Sequence, residues 1–230
     1  MAAKKLLLLQ NKGGGHGEIG YQLCEFLLSG SNDLDITMVQ DNAANMDALP
    51  FSCYGDLEAK GVKIVHTPLA EHSLKASELG PESFDYVVDN WSKSPEDFEF
   101  VRTLLSKPET LSQYLFVSSA GMYVTGSGVI PYVETDAVKA NNAPRTVEMA
   151  CMKSGLPYTF MRPQYVYGPT MHKRYLDYFL GRAARGLPIP LPMNGEQLVG
   201  LTHSTDVASL IAAAVGHPAA VNEAFNCGTD

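Results

Sequence analysis

The chain has 230 residues, 45% of them hydrophobic, and carries 17 Lys and Arg against 25 Asp and Glu, a net charge of −8. That length suits one large globular domain, or one domain with part of a second, and the composition excludes a disordered or collagen-like chain. The acidic balance argues against polyanion binding through overall charge, so any nucleic-acid site has to be a local patch.

No apolar run approaches the roughly 18 residues of a membrane span, so no membrane insertion is expected. The run Leu6 to Leu9 is too short even for a signal-peptide core. Cys24, Cys53, Cys151 and Cys227 form no C-x-x-C pair, which favours reduced thiols. The six histidines form no metal-type spacing, so no metal site is expected.

In chain order, residues 5–10 read as an apolar strand, residues 11–20 as a glycine turn and residues 21–28 as a helix. Further strands are expected at 35–39, 62–66, 84–88 and 114–118, with a helix at 98–105. A helix at 145–153 precedes a sixth strand at 158–161, which stops at Arg162-Pro163. Strands alternating with helices, each strand a nearly continuous apolar run, imply a parallel sheet buried on both faces. The fold class is therefore α/β, a Rossmann-like doubly wound sheet with helices on both faces.

Beyond this point the pattern changes. Residues 174–185 read as a helix closed by Gly186, followed by the proline-rich segment 187–192 and a helix at 206–215 with Asp206 at its N-cap. The chain ends in what looks like a strand, 225–227, running into a turn. We divide it into a dinucleotide-binding domain, residues 1–168, and a small, incomplete C-terminal subdomain, residues 169–230. Residues 200–215 are expected to pack back on the first domain.

Gly14, Gly17 and Gly20 form G-x-x-G-x-x-G between the first strand and the first helix. The first glycine permits the tight turn, the second lets the backbone approach a pyrophosphate, and the third lets helix and strand pack closely. Asp41, closing the second strand after Gln40, can accept from a ribose 2′-hydroxyl and would repel a 2′-phosphate, so NAD is favoured over NADP. Lys12, beside the loop, reads either as a pull the other way or as a solvated surface lysine.

Four segments together resemble the extended short-chain dehydrogenase/reductases, which include nucleotide-sugar epimerases and dehydratases. They are the glycine loop, Phe116-Val117-Ser118-Ser119-Ala120-Gly121-Met122-Tyr123, Arg162-Pro163-Gln164-Tyr165-Val166-Tyr167-Gly168-Pro169 and Leu201-Thr202-His203-Ser204-Thr205-Asp206-Val207. The resemblance implies cofactor contacts from Gly14, Gly17, Glu18, Ile19, Gly20, Asp41, Ser118, Arg162 and Pro163. In active members a serine after the fifth strand assists a Tyr-x-x-x-Lys pair that moves the proton. Ser119 matches the serine, but none of the 11 tyrosines has a lysine four residues later.

Aligning Glu148 with the family glutamate puts Ala140 at the tyrosine and Pro144 at the lysine. Because general acid-base help is worth roughly 10²- to 10⁴-fold, ordinary hydride-transfer chemistry is not expected here. Tyr123 and Tyr132 are the nearest substitutes, and Ser119 then reads as a strand-end hydroxyl satisfying local backbone.

Asn11-Lys12-Gly13-Gly14-Gly15-His16, Phe84-Asp85-Tyr86-Val87-Val88-Asp89-Asn90, Val133-Glu134-Thr135-Asp136-Ala137-Val138-Lys139-Ala140, Phe160-Met161-Arg162-Pro163-Gln164-Tyr165 and Phe225-Asn226-Cys227 carry the likeness further. They resemble the chloroplast stem-loop binding proteins, plastid RNA-binding relatives of the epimerases that lack the pair. This resemblance implies a chloroplast stroma protein, in mature form without its transit peptide, that binds RNA stem-loops or accompanies ribosomes, with an endoribonuclease activity reported in the family. It also implies further chain after Asp230, and a homo-oligomer or a larger plastid complex.

Between His172 and Gly186, Lys173, Arg174, Arg182 and Arg185 stand against Asp177 alone, a local +3, which leaves −11 for the rest. At helical spacing Arg174, Tyr178, Arg182 and Arg185 share a face. Guanidinium groups beside tyrosine rings suit phosphate contact and base stacking, so these residues with Lys173 are the RNA-binding candidates. A solvated helix face is the other reading, and a third has Arg162 or Arg174 gripping a sugar-nucleotide diphosphate. For cleavage, Asp89, Asp136, His203 and Asp206 are the available polar groups, though no spacing marks a nuclease site.

Overall fold

A computed structural model describes residues 3–11, 15–30, 34–80, 83–126, 130–168, 175–191 and 193–228, with backbone alone at 15–18 and 175. The strand β1 (Lys4–Gln10) leads into α1 (Gly15–Ser29), and β2 (Leu34–Asp41) into the short α2 (Tyr54–Ala59). Next come β3 (Lys63–Thr67), one turn of α3 (Ala76–Leu79), β4 (Tyr86–Asn90) and α4 (Pro95–Thr103). β5 (Gln113–Val117), α5 (Ala143–Ser154) and β6 (Tyr158–Pro163) complete the pattern.

These strands form one parallel sheet in the order β3-β2-β1-β4-β5-β6. Leu6 to Leu9 are fully buried because β1 lies at the centre with both faces covered. Leu6 and Leu8 pack in one cluster with Ile19 and Leu23 of α1, while Leu7 and Leu9 pack in another with Phe98 of α4 and Val147 of α5. A both-sided apolar strand cannot alternate, which is why its sequence is a continuous run. The doubly wound parallel architecture is as expected.

Strand ends differ from the sequence reading by a residue or two. The strand expected at 84–88 is Tyr86–Asn90, because its pairing with β1 runs from Leu6 opposite Tyr86 to Gln10 opposite Asn90. Sheet register, not local hydrophobicity, sets where the ladder stops.

After β6, Tyr165 turns the chain at φ 38° into β7 (Val166–Tyr167). Then follow α6 (Tyr175–Ala184), β8 (Thr202–His203), α7 (Ser204–Ala214) and β9 (Glu223–Cys227). β7 and β8 form a two-stranded parallel sheet, α7 packs on α1, and β9 pairs with β6 as the seventh strand of the main sheet. Asp206 is not the N-cap of its helix. His203 takes that place, its Nδ1 accepting the Thr205 N–H at 3.2 Å, and Asp206 lies exposed in the first turn. An imidazole nitrogen serves as the acceptor that the shorter side chain was expected to supply.

Gly20 is required by the packing of α1 on β1. A Cβ there would overlap the carboxamide of Gln10, which is fully buried and held by Asn90 Nδ2 at 3.1 Å, so it cannot swing aside. Gly20→Ala should therefore cost about 1–3 kcal/mol by overpacking. Urea unfolding of this variant and of Gln10→Ala/Gly20→Ala checks it: the double variant should recover part of the loss.

Candidate functional site

From β1 the chain winds out to β2 and β3, then crosses to β4 on β1's other side, so the crevice above the carboxyl ends of β1 and β4 is a topological switch point. α1 starts at Gly15, immediately past β1, and turns its N-terminus to this crevice. Gly13 and Gly14 lie outside the described residues. Gly17 and Glu18 fall in the first turn of α1, and Ile19 is buried in the core behind it.

A set of buried amides holds the Asn11 carbonyl. Gln40 Nε2 donates to the Asn11 carbonyl at 3.1 Å, and its Oε1 accepts from Tyr54 Oη at 2.7 Å. Gln10 Nε2 reaches the same carbonyl at 3.3 Å, and Asn90 donates back to Gln10. Asp41 is buried at the end of β2, its Oδ1 accepting the Ala43 N–H at 3.0 Å. Helix end, glycine packing and carboxylate fit the pyrophosphate and ribose of a dinucleotide.

The other half of the crevice is organised around Glu148. Its carboxylate is fully buried and accepts two hydrogen bonds from Arg162, at 2.9 Å each, one from Arg145 at 3.0 Å and one from Ser118 Oγ at 2.8 Å. Arg162, 4% exposed, also donates to Tyr123 Oη at 2.9 Å and to the Glu134 carbonyl at 3.0 Å. Burial alone would lower the Arg162 pKa, but the hydrogen bonds and charge of Glu148 outweigh it and hold the guanidinium charged. Tyr123 donates in turn to Asn226 Oδ1 at 2.7 Å, and Asn226 holds the Tyr132 carbonyl and Glu134 Oε1, so Tyr123 and the stretch 132–134 are strapped onto β9. Pro163, beside Arg162, ends β6 opposite Cys227.

Ser119 sits half-buried two residues past β5, where it caps a short 3-10 turn, its Oγ accepting the Gly121 N–H at 3.2 Å. Ala140 is exposed and precedes α5, and Pro144 lies in that helix's first turn. Neither residue carries an acid-base group. Tyr123 and Tyr132 stack on each other with ring centroids 5.4 Å apart, and Lys139 Nζ lies 3.3 Å from the Gly121 carbonyl.

Asp89 is fully buried, and burial raises its pKa against the hydrogen bonds from Ser92, Tyr114 and the Trp91 N–H. Asp136 accepts the Val133 N–H at 2.8 Å. On α6, Arg182 lies over the Tyr178 ring at 5.6 Å and donates to the Pro188 carbonyl at 2.6 Å, and Arg185 donates to the Gly181 carbonyl at 2.8 Å. Tyr178 is 52% exposed. Lys173 and Arg174 lie outside the described residues. Among the described residues no group of three or more His, Cys, Asp and Glu could hold a metal ion, and no helix is long and apolar enough to cross a membrane.

The hub at Glu148 and the strap at Asn226 were not identified as such from sequence. A signal existed: an arginine inside the apolar strand Phe160-Met161-Arg162-Pro163 demands a buried counter-charge.

Known proteins share this fold. The chain is 29% identical over 228 residues to the chloroplast stem-loop binding protein of 41 kDa b of Arabidopsis thaliana, an alignment covering 97% of this chain and 58% of that one. It thus spans less than two thirds of that relative's length. Among solved structures, a single-residue variant of the UDP-glucuronic acid 4-epimerase of Bacillus cereus, in complex with a fluorinated UDP-glucuronic acid and NAD, superposes with TM-score 0.73 at 17% identity, covering 98% of this chain and 78% of that one. The dTDP-glucose 4,6-dehydratase of Bacillus anthracis in complex with NAD gives 0.73 at 18% identity, covering 98% and 76%. The family model described as NAD dependent epimerase/dehydratase matches residues 13–228, and the chain belongs to that family.

Proposed function

We propose that this chain is a non-redox member of the epimerase family that binds RNA stem-loops, or accompanies ribosomes, in the chloroplast stroma. The observation that carries this reading is the start of α5 at Ala143. It leaves Ala140 outside the helix and Pro144 in its first turn, where active relatives need a tyrosine and a lysine on one helical face. The name of the Arabidopsis relative supports RNA as the partner. NAD is the preferred dinucleotide of the crevice, held by the N-terminus of α1, the glycines at 14, 17 and 20, and Asp41. Bound, it would supply a hydride acceptor for which this chain offers no paired proton carrier.

The RNA candidates remain Lys173, Arg174, Tyr178, Arg182 and Arg185. Of the two described arginines, neither is in an ion pair among the described residues, and each spends one donor on a backbone carbonyl with others left over. A labelled stem-loop RNA titrated across a salt series tests this. Binding should weaken as salt rises, and Arg174→Ala/Arg182→Ala/Arg185→Ala should lower both the affinity and the salt slope, by roughly two to three slope units. Absence of binding by folded protein at low salt, or an unchanged slope in the triple variant, rejects this site. Substrate-dependent reduction of NAD would instead establish an enzyme with relocated acid-base groups, and stoichiometric co-purification without RNA a structural subunit.

A further inference from the structure

We infer that Lys63, Thr37 and Lys5 form a binding site for a phosphate monoester of a small metabolite, at the edge of the sheet opposite the dinucleotide crevice. At the amino ends of β1, β2 and β3 the register sets Lys5 beside Asp35, and Thr37 beside Lys63. Side chains two apart on a strand share a face, so all four stand on the face that carries Leu7, Leu9 and Val39 of the core. A face of a parallel sheet is covered by its crossover helices, but the crossover from β3 to β4 holds only the single α-helical turn of α3. The amino ends of β2 and β3 are therefore left open on this side.

A hollow of about 260 Å³ lies over them, walled by Leu79 and Phe84. It holds several times the roughly 30 Å³ of a water molecule and falls just under the roughly 300 Å³ at which drug-sized sites begin, so it suits a small metabolite. Thr37 is the telling residue. It is 7% exposed and lines the hollow, and its hydroxyl makes no hydrogen bond among the described residues. A polar group so deeply set without a protein partner is costly, and because it borders the hollow a ligand oxygen can reach it.

Charge around the hydroxyl fixes the sign of the ligand. Lys63 Nζ donates to the Leu79 carbonyl at 2.9 Å, which holds the ammonium at the wall of the hollow and leaves it further N–H donors. Lys5 Nζ lies 3.7 Å from Asp35 Oδ2, an ion pair longer than a hydrogen bond. Among the lining residues two ammonium groups thus stand against the carboxylate of Asp35 alone, and the balance is positive. Asp85, also at this edge, is taken up by Lys4 Nζ at 2.6 Å and by the Lys5 N–H at 2.9 Å. A phosphate monoester would give its oxygens to the ammonium groups and to the Thr37 hydroxyl, and lay its carbon skeleton against Leu79 and Phe84.

The test titrates ribose 5-phosphate, with ribose as the neutral control, into wild type, Thr37→Val, Lys63→Met and the exposed-surface control Lys107→Ala, following backbone amide NMR signals. In wild type the amides of residues 35–37 and 63 should shift saturably with the phosphate ester and not with ribose. Thr37→Val and Lys63→Met should each weaken binding about tenfold, and Lys107→Ala should not. Valine keeps the shape of threonine and suits a strand, and the hydroxyl it removes has no partner to lose, so Thr37→Val should melt at or above the wild-type temperature. A lower melting temperature would mean that the hydroxyl serves the fold, and would overturn its place in the site. Binding that both variants keep, as when the probe sits in the dinucleotide crevice, overturns the site, as does a wild type without saturable shifts up to about 10 mM. Ribose bound as well as its phosphate overturns the ligand class.

Discussion

Glu148→Ala should destabilise the protein by about 3–5 kcal/mol, because it leaves the Arg162 guanidinium charged, buried and without its carboxylate. Arg162 is 4% exposed and Glu148 fully buried, so water cannot take over the two lost hydrogen bonds. Arg145, whose side chain is 23% exposed, can turn to solvent and should add little. Glu148→Gln keeps the shape and one acceptor oxygen but removes the charge, so it should fall between wild type and Glu148→Ala. The informative variant is Glu148→Leu/Arg162→Met. Removing both charges should recover a large share of the loss, though Tyr123 and the Glu134 carbonyl then lose their donor. Urea unfolding of wild type, Glu148→Leu, Arg162→Met and the double variant gives the coupling directly. A loss below about 1 kcal/mol in Glu148→Ala would show that the pair is solvated in solution and that the network does not hold the strap.

Much of the architecture was legible because burial on both sheet faces leaves its mark one residue at a time. Leu6 to Leu9 and Tyr114 to Val117 can be continuous apolar runs only in a covered parallel sheet, and the glycine at 20 is demanded by a side chain ten residues earlier. What was hidden depends on partners far apart in sequence. Nothing local marks Gln40 as a prop for the Asn11 carbonyl, or Asn226 as the tie for a segment some 90 residues upstream. The direction of Asp41 was equally invisible: its position at the end of β2 follows from the apolar run before it, but its hydrogen bond to Ala43 depends on the turn that follows. His203 was read only as one of the polar groups available for cleavage, since a histidine cap has no spacing to betray it. At the candidate site, sequence thus yields positions along the carboxyl edge of the sheet. Orientation comes from tertiary contacts.

Stability should fall steeply above about pH 8.5, the ordinary value for a thiol, because the fold keeps three cysteines from ionising. Cys24 is fully buried and Cys227 2% exposed, and burial pushes each thiol up to about 12; Cys151, also fully buried, is raised by burial with Asp89 and Glu148 adding to it. In the unfolded chain the same thiols lose their protons near pH 8.5. Between that value and the folded ones the native state binds more protons than the unfolded state, so stability declines as pH rises and is intact below the window. Each such group contributes about 1.4 kcal/mol per pH unit, hence about 4 kcal/mol per unit for three, enough to unfold a domain of ordinary stability near pH 10 to 11. Above about pH 10 the buried Tyr114, raised by burial and by Asp89, steepens the decline. Urea unfolding in reductant from about pH 7.5 to 10.5 measures the slope, and Cys24→Ala/Cys227→Ala should remove about two thirds of it below pH 10. A stability that stays level from about pH 8.5 to 10 would mean that these thiols ionise in the folded protein as readily as in the open chain, and that the core around α1, α5 and β9 admits water.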